Sequence, residues 1–190
     1  MLKKFKQFVN EGKEGKYRVF CDLDGVLVDF DRGFQDIEEN TENLSPKEYE
    51  KKNGKNSIWP LLDKLGADFW ANLQWTKDGR ELWDYLQRYD PILLSAPSRS
   101  PECLIGKTRW VNSNLGIDQE PVTDPADMTP DTRLVLDQDK WKYATSEKDI
   151  LIDDFKKKLE KWIEHGGTGI LHNDSTDTVR VMEEIMTGRD

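Results

Sequence analysis

Five short apolar runs mark the chain, at residues 17–21, 91–94, 133–136, 150–152 and 168–171. They do not alternate with polar residues, which is how strands buried on both faces of a parallel sheet read. Helical patterns lie between them. Leu82, Tyr85, Leu86 and Tyr89 recur at i, i+3, i+4, i+7 after the Asp78-Gly79 turn. Phe155, Leu159, Trp162 and Ile163 fall at i, i+4, i+7, i+8, and Gly166-Gly167 closes that helix. Residues 101–115 open with Pro101 and end near Gly116, and residues 175–187 turn Val179, Met182, Ile185 and Met186 inward. Strands alternating with helices predict a doubly wound α/β sandwich with a parallel sheet.

One stretch breaks the alternation. Between Phe30 and Thr76 there is no strand pattern; the centre is charged, KEYEKKNGKN, and Trp59, Phe69, Trp70 and Trp75 lie nearby. Residues 30–76 are therefore expected to form a small helical cap inserted after the first strand. Residues 17–29 and 77–190 then form the core. Residues 1–16 carry Leu2, Phe5, Phe8 and Val9 at helical spacing and end in a loose GKEGK link. They read as a surface helix or an interaction tag.

Composition narrows the function. The 190 residues carry 28 basic and 37 acidic side chains, a net charge of −9, which disfavours a partnership with long nucleic acid. A local cluster of cations or a metal can still hold a small phosphorylated ligand. The apolar set is 36%, enough for a core, and no run reaches the roughly 18 apolar residues of a membrane helix. Cys21 and Cys103 are too few for a disulfide framework and lack zinc-site spacing, which suits a reducing, cytoplasmic setting. A homodimer is compatible with the sequence, and nothing in it decides the point.

Ligands of open α/β sheets bind at the carboxyl ends of the strands. The first strand ends in Asp22-Leu23-Asp24-Gly25, and a two-residue spacing in extended chain turns both carboxylates the same way. Two like charges so close call for a divalent cation, and carboxylates with carbonyls and water suit Mg²⁺. A second acidic group, Asp153-Asp154, follows the strand at 150–152 on the same sheet edge. Ser95 follows the strand at 91–94 and offers a hydroxyl to a phosphoryl oxygen. Lys140, or its rival Lys142, follows the strand at 133–136 and offers a cation. Taken singly, Ser95 is a turn residue and either lysine a solvated surface charge. The ordered set gives them weight.

That set, Asp22-x-Asp24-Gly-Val, strand-Ser95, Lys140 and strand-Asp153-Asp154, resembles the four motifs of the haloacid dehalogenase (HAD) superfamily of phosphatases. The resemblance covers about residues 17–172. VFCDLDGVLVDF, LLSAPS with a downstream KTRWV, VLDQDK and DILIDD are similar to the 5′(3′)-deoxyribonucleotidase branch, and the VLDQDK string favours Lys140 over Lys142. The resemblance implies a HAD-like Rossmannoid three-layer sandwich. It further implies Asp22 as nucleophile, Asp24 as general acid and base, and Mg²⁺ held by Asp22, the backbone carbonyl of Asp24 and Asp153, with Asp154 supporting. Ser95 and Lys140 would bind the phosphoryl oxygens.

The match has departures. Ala96 stands where the branch has a second hydroxyl residue, so a contact there is left to the backbone. Arg99 stands where the branch carries a basic residue. The cap is least alike, and its Phe30, Trp70 and Trp75 suit stacking on a base, though packing of cap on core explains such rings equally well. The expected activity is a Mg²⁺-dependent phosphomonoesterase acting on nucleoside monophosphates, deoxyribonucleotides foremost. The alternatives are another small phosphate ester, the phosphate end of an oligonucleotide, or a non-catalytic phosphoryl-binding scaffold.

Overall fold

A computed structural model describes residues 17–188. The surface helix or tag expected at residues 1–16 lies outside the described residues. The five apolar runs form β1 (Arg18–Cys21), β2 (Ile92–Ser95), β3 (Leu134–Leu136), β4 (Asp149–Asp153) and β5 (Thr168–Leu171). All four pairings are parallel, in the order β3-β2-β1-β4-β5. The expected α/β sandwich is observed.

The strands alternate between two apolar clusters, as the two-residue side-chain period requires. Val19, Cys21, Leu93, Leu134, Leu136, Ile150 and Ile152 face one layer, together with α4 (Gly79–Leu86), α5 (Pro101–Leu115) and α7 (Ser175–Thr187). Phe20, Leu94, Val135 and Leu151 face the other, against Tyr143 and α6 (Lys156–Glu164). Trp162 of α6 is fully buried, meets Phe20 edge-on at 5.1 Å, and donates its indole N–H to the Asp149 carbonyl at 3.0 Å. On α6 the expected apolar stripe narrows to Leu159 and Trp162, because Phe155 precedes the helix and both it and Ile163 are 54% exposed. Tyr89, expected on the same helix as Leu82, falls in a separate 3₁₀ turn after α4.

A partly buried ion pair spans the start of the central ladder. Arg18 Nε lies 2.6 Å from Asp149 Oδ1, across the pair of residues that open the β1–β4 ladder. The other Asp149 oxygen accepts from the Thr145 N–H and hydroxyl and from the Ser146 N–H. Continued to the carboxyl end, this register sets Asp22 beside Asp153. The strand order also turns back between β1 and β4, the place where ligand crevices open in such sheets.

Residues 30–76 contain α1 (Phe30–Gln35), α2 (Pro46–Asn53) and α3 (Trp59–Ala71), with no strand. The segment leaves and re-enters the core at one place: Asp29 N–H donates to Gln74 O, and Thr76 N–H to Leu27 O, both at 2.9 Å. Here α3 packs closely on α5. A Cβ at Gly106 would stand 2.4 Å from the Ala67 carbonyl oxygen, so only glycine allows that approach.

Candidate functional site

The carboxyl edge of the sheet gathers acids and lysines. Asp22 directly follows β1 and stays in its ladder, donating its N–H to Ile152 O at 3.0 Å. Its Oδ1 accepts the Leu23 N–H at 2.7 Å, and its Oδ2 lies 2.6 Å from Lys140 Nζ. The chain then turns, with the N–H groups of Val26, Leu27 and Val28 all returning to Leu23 O. Gly25 takes φ +75°, and a Cβ there would sit 2.1 Å from Asp154 Oδ2. A glycine is therefore required twice over, by the backbone and by the carboxylate laid against it.

Lys140 is 1% exposed and bridges Asp22 and Asp153, 2.6 Å from each. Burial alone would lower its pKa, but the two carboxylates outweigh that and raise it, so it stays charged. Lys142 points elsewhere, to the buried Asp137 and the half-exposed Asp139. Asp153 is fully buried and also accepts the Phe155 N–H at 2.8 Å. Its pKa is raised by burial and by Asp22, against the pull of Lys140. Asp154 is pushed up to about 7, by desolvation first and then by Asp22 and Asp153.

Asp22, Asp153 and Asp154 can each turn an oxygen to within 4.8 Å of the others. Three hard oxygen donors whose mutual repulsion Lys140 offsets only in part are a fit to a divalent cation of the Mg²⁺ type. Asp24, expected to offer the metal its backbone carbonyl, does not bring its carboxylate into this cluster. It turns instead to a lysine that sequence reasoning did not assign.

That lysine is Lys107, on α5. It is 3% exposed, pairs with Asp24 Oδ2, and donates to Ser95 Oγ at 2.9 Å. Ser95 itself is fully buried at the end of β2. A signal was there: Cys103, Gly106, Lys107, Trp110 and Val111 form the buried face of α5, and a lysine on an apolar stripe needs a partner. It is also the first residue of the KTRWV string. Burial raises the Asp24 pKa; Lys107 opposes this and Asp22 adds to it, and the net shift is upward.

The aromatic candidates divide. Phe30 stacks on Trp70 at 5.5 Å and 14°, Phe69 meets both rings edge-on, and Lys107 Nζ lies 5.4 Å over Trp70. Phe30 and Trp70 thus adjoin the Asp24–Lys107 pair. Trp75 does not: it packs on Trp110 at 5.0 Å, carries Arg80 on its ring and donates to Asn114 Oδ1, joining the segment to the core. Ala96 follows Ser95 at the edge, half-buried, with only its backbone to offer a ligand. Arg99 is exposed and makes no ion pair among the described residues. Both cysteines are free and buried. No helix among the described residues is long and apolar enough to cross a membrane.

No family model matches the chain, and no curated protein matches it. Among solved structures, a HAD-superfamily hydrolase from Ehrlichia chaffeensis is similar to it at 15% identity, with a TM-score of 0.49 over 91% of this chain and 100% of that one.

Proposed function

We propose that the protein is a Mg²⁺-dependent phosphomonoesterase working through an aspartyl-phosphate, with nucleoside monophosphates, deoxyribonucleotides foremost, as substrates. The observation that carries this reading is the pair of buried lysines on the two motif aspartates, Lys140 on Asp22 and Lys107 on Asp24. They give two adjacent carboxylates different surroundings and hence different tasks.

Asp22, oriented by the Leu23 N–H and by Lys140, presents a carboxylate oxygen for attack on phosphorus. Asp24, with its raised pKa, gives its proton to the leaving ester oxygen as the P–O bond breaks. The Asp24 carboxylate so formed takes a proton from water, which attacks the aspartyl-phosphate. That step releases phosphate, frees Asp22 and reprotonates Asp24. Lys107, Lys140 and the Ser95 hydroxyl bind the phosphoryl oxygens and offset their charge. Asp22, Asp153 and Asp154, with the Asp24 carbonyl, would hold Mg²⁺, which when bound supplies further positive charge at the transferring group. Phe30, half-buried and stacked on the buried Trp70 beside Lys107, supports a flat base as the ester's other end. Free buried cysteines support a reducing, cytoplasmic setting.

The test is phosphate release from 5′- and 3′-nucleoside monophosphates, ribo and deoxy, with and without Mg²⁺, beside the Asp22→Asn variant. Mg²⁺-dependent release that the variant abolishes is expected. Release from an aryl phosphate but from no nucleotide would remove the nucleotide assignment, and release that survives Asp22→Asn would remove the covalent mechanism.

A further inference from the structure

Beside the catalytic cluster lies a cavity of about 240 Å³ that the steps above leave unused. Its walls are the loop Gln138–Trp141 and the start of α6, with Phe155, Lys157, Lys158 and Lys161. Lys140 is common to both places, since it also lines this cavity. Lys158 is held toward the loop by donating to Gln138 O at 2.7 Å, and it lies within the fields of Lys140, Asp153 and Asp22. At this size the cavity falls below the roughly 300–1,000 Å³ of pockets that enclose a whole drug-sized ligand. It suits one group of a larger molecule.

The charges there run against local preference. Lys156, Lys157 and Lys158 fill the first turn of α6, where the helix dipole favours acids. Lys157 and Lys161 stand four apart, a spacing at which like charges repel. Among the described residues, Lys157, Lys158 and Lys161 have no carboxylate partner within ion-pair distance. The one carboxylate in the wall, Asp139, is engaged by Lys142 at 3.3 Å. Elsewhere local rules are kept, as in the Ser45–Glu48 capping box of α2. In a chain of net charge −9, three unpaired lysines around one cavity are a local exception of the kind that marks function. Phe155, 54% exposed on the rim, adds an apolar surface next to Asp153 and Asp154.

We propose that this cavity is a second anion subsite, receiving a phosphoryl group of the substrate other than the one cleaved at Asp22. The preferred substrate then carries two phosphates. This rests on the phosphatase reading, and a nucleoside bisphosphate and the phosphorylated end of a short oligonucleotide share the required chemistry.

The experiment compares the full-length protein with a Lys157→Ala/Lys161→Ala double variant. Adenosine 5′-monophosphate, adenosine 3′,5′-bisphosphate and a 5′-phosphorylated dinucleotide serve as substrates at low and high salt. A preference for a two-phosphate substrate of about tenfold in kcat/KM is expected, expressed in KM and weakened by salt. The double variant should lose it while monophosphate turnover stays unchanged. Whichever two-phosphate substrate shows the lysine-dependent preference identifies the source. Equal KM for one and two phosphates, or a preference the double variant keeps, overturns the proposal. Calorimetric binding of the mono- and bisphosphate to Asp22→Asn, with and without the two lysines, separates the readings. Lysine-dependent tighter binding of the bisphosphate without turnover of any substrate keeps the subsite and sinks the phosphatase. Normal monophosphate turnover without that gain does the reverse.

Discussion

Lys107→Met tests the site where sequence reading assigned nothing. Methionine keeps the length and apolar stem but removes the ammonium from between Asp24 and Ser95. Breaking a fully buried ion pair by deleting one partner costs about 3–5 kcal/mol. The Asp24 side chain is 28% exposed, so water or a proton can take up part of that loss, leaving about 2 kcal/mol. The Ser95 hydroxyl, which loses its donor, adds about 1 kcal/mol. Denaturant unfolding should therefore show a loss of about 2–3 kcal/mol in a protein that still folds.

The loss should depend on pH with a definite sign. The folded-state pKa of Asp24 is already raised, so this carboxyl opposes folding above its unfolded pKa of about 3.9, and the opposition disappears as pH falls below that value. Without Lys107 the folded pKa rises further. The stability gap between variant and wild type should be smallest near pH 4 and widen toward neutrality. Phosphate release carries the second readout. Losing one donor aimed at developing charge costs about 2.7–4 kcal/mol, or a hundredfold or more in kcat/KM. The basic limb of the pH–rate profile for kcat/KM, where Asp24 loses the proton it must donate, should also move up as Asp24 becomes a harder acid to ionise. A variant within threefold of wild-type kcat/KM, with an unmoved pH profile, would refute the assignment of Lys107 to Asp24.

Three further outcomes are expected. Gly25→Ala forces a side chain into a left-handed backbone and against Asp154, costing about 1–2 kcal/mol in urea unfolding. It should raise the Mg²⁺ concentration needed for half-maximal activity by about tenfold; an unchanged Mg²⁺ requirement would count against Asp154 as a ligand. Because Asp154 titrates at about 7, protons should compete with the metal below neutrality, and the activating Mg²⁺ concentration should climb as pH drops from 7.5 to about 5.5. Lys142→Ala, which takes a partly exposed lysine from Asp137 and Asp139, should change stability by about 1 kcal/mol at most and leave turnover intact, whereas Lys140→Ala should abolish turnover. Equal effects of the two would undo the distinction between these lysines.

The strands were legible because they are buried on both faces. Phe20, Leu94, Val135 and Leu151 point to one layer while their neighbours point to the other, so each run stays apolar without alternation. The residues of the proposed site were legible for a related reason. Parallel strands put their ends on one edge, so Asp22, Ser95 and Asp153 needed only their places after a strand to be brought together. Residues that reach the site from a helix or the 30–76 segment carry no such mark. Lys107 arrives from the middle of α5, and its neighbours on that stripe are selected by packing on α3. Trp75 and Trp70 look alike in sequence, yet the Trp110 contact ties one to α5 and the close approach permitted by Gly106 buries the other beside Lys107. Phe155 shows the opposite error. Its spacing fits the apolar stripe of α6, but the Asp153 carboxylate holds its N–H in the non-helical turn before the helix, and the ring is left at the cavity rim. A three-lysine run at such a helix start reads as solvated surface when charge alone is counted. It becomes specific only when the fold sets it around a cavity that shares Lys140 with the aspartates.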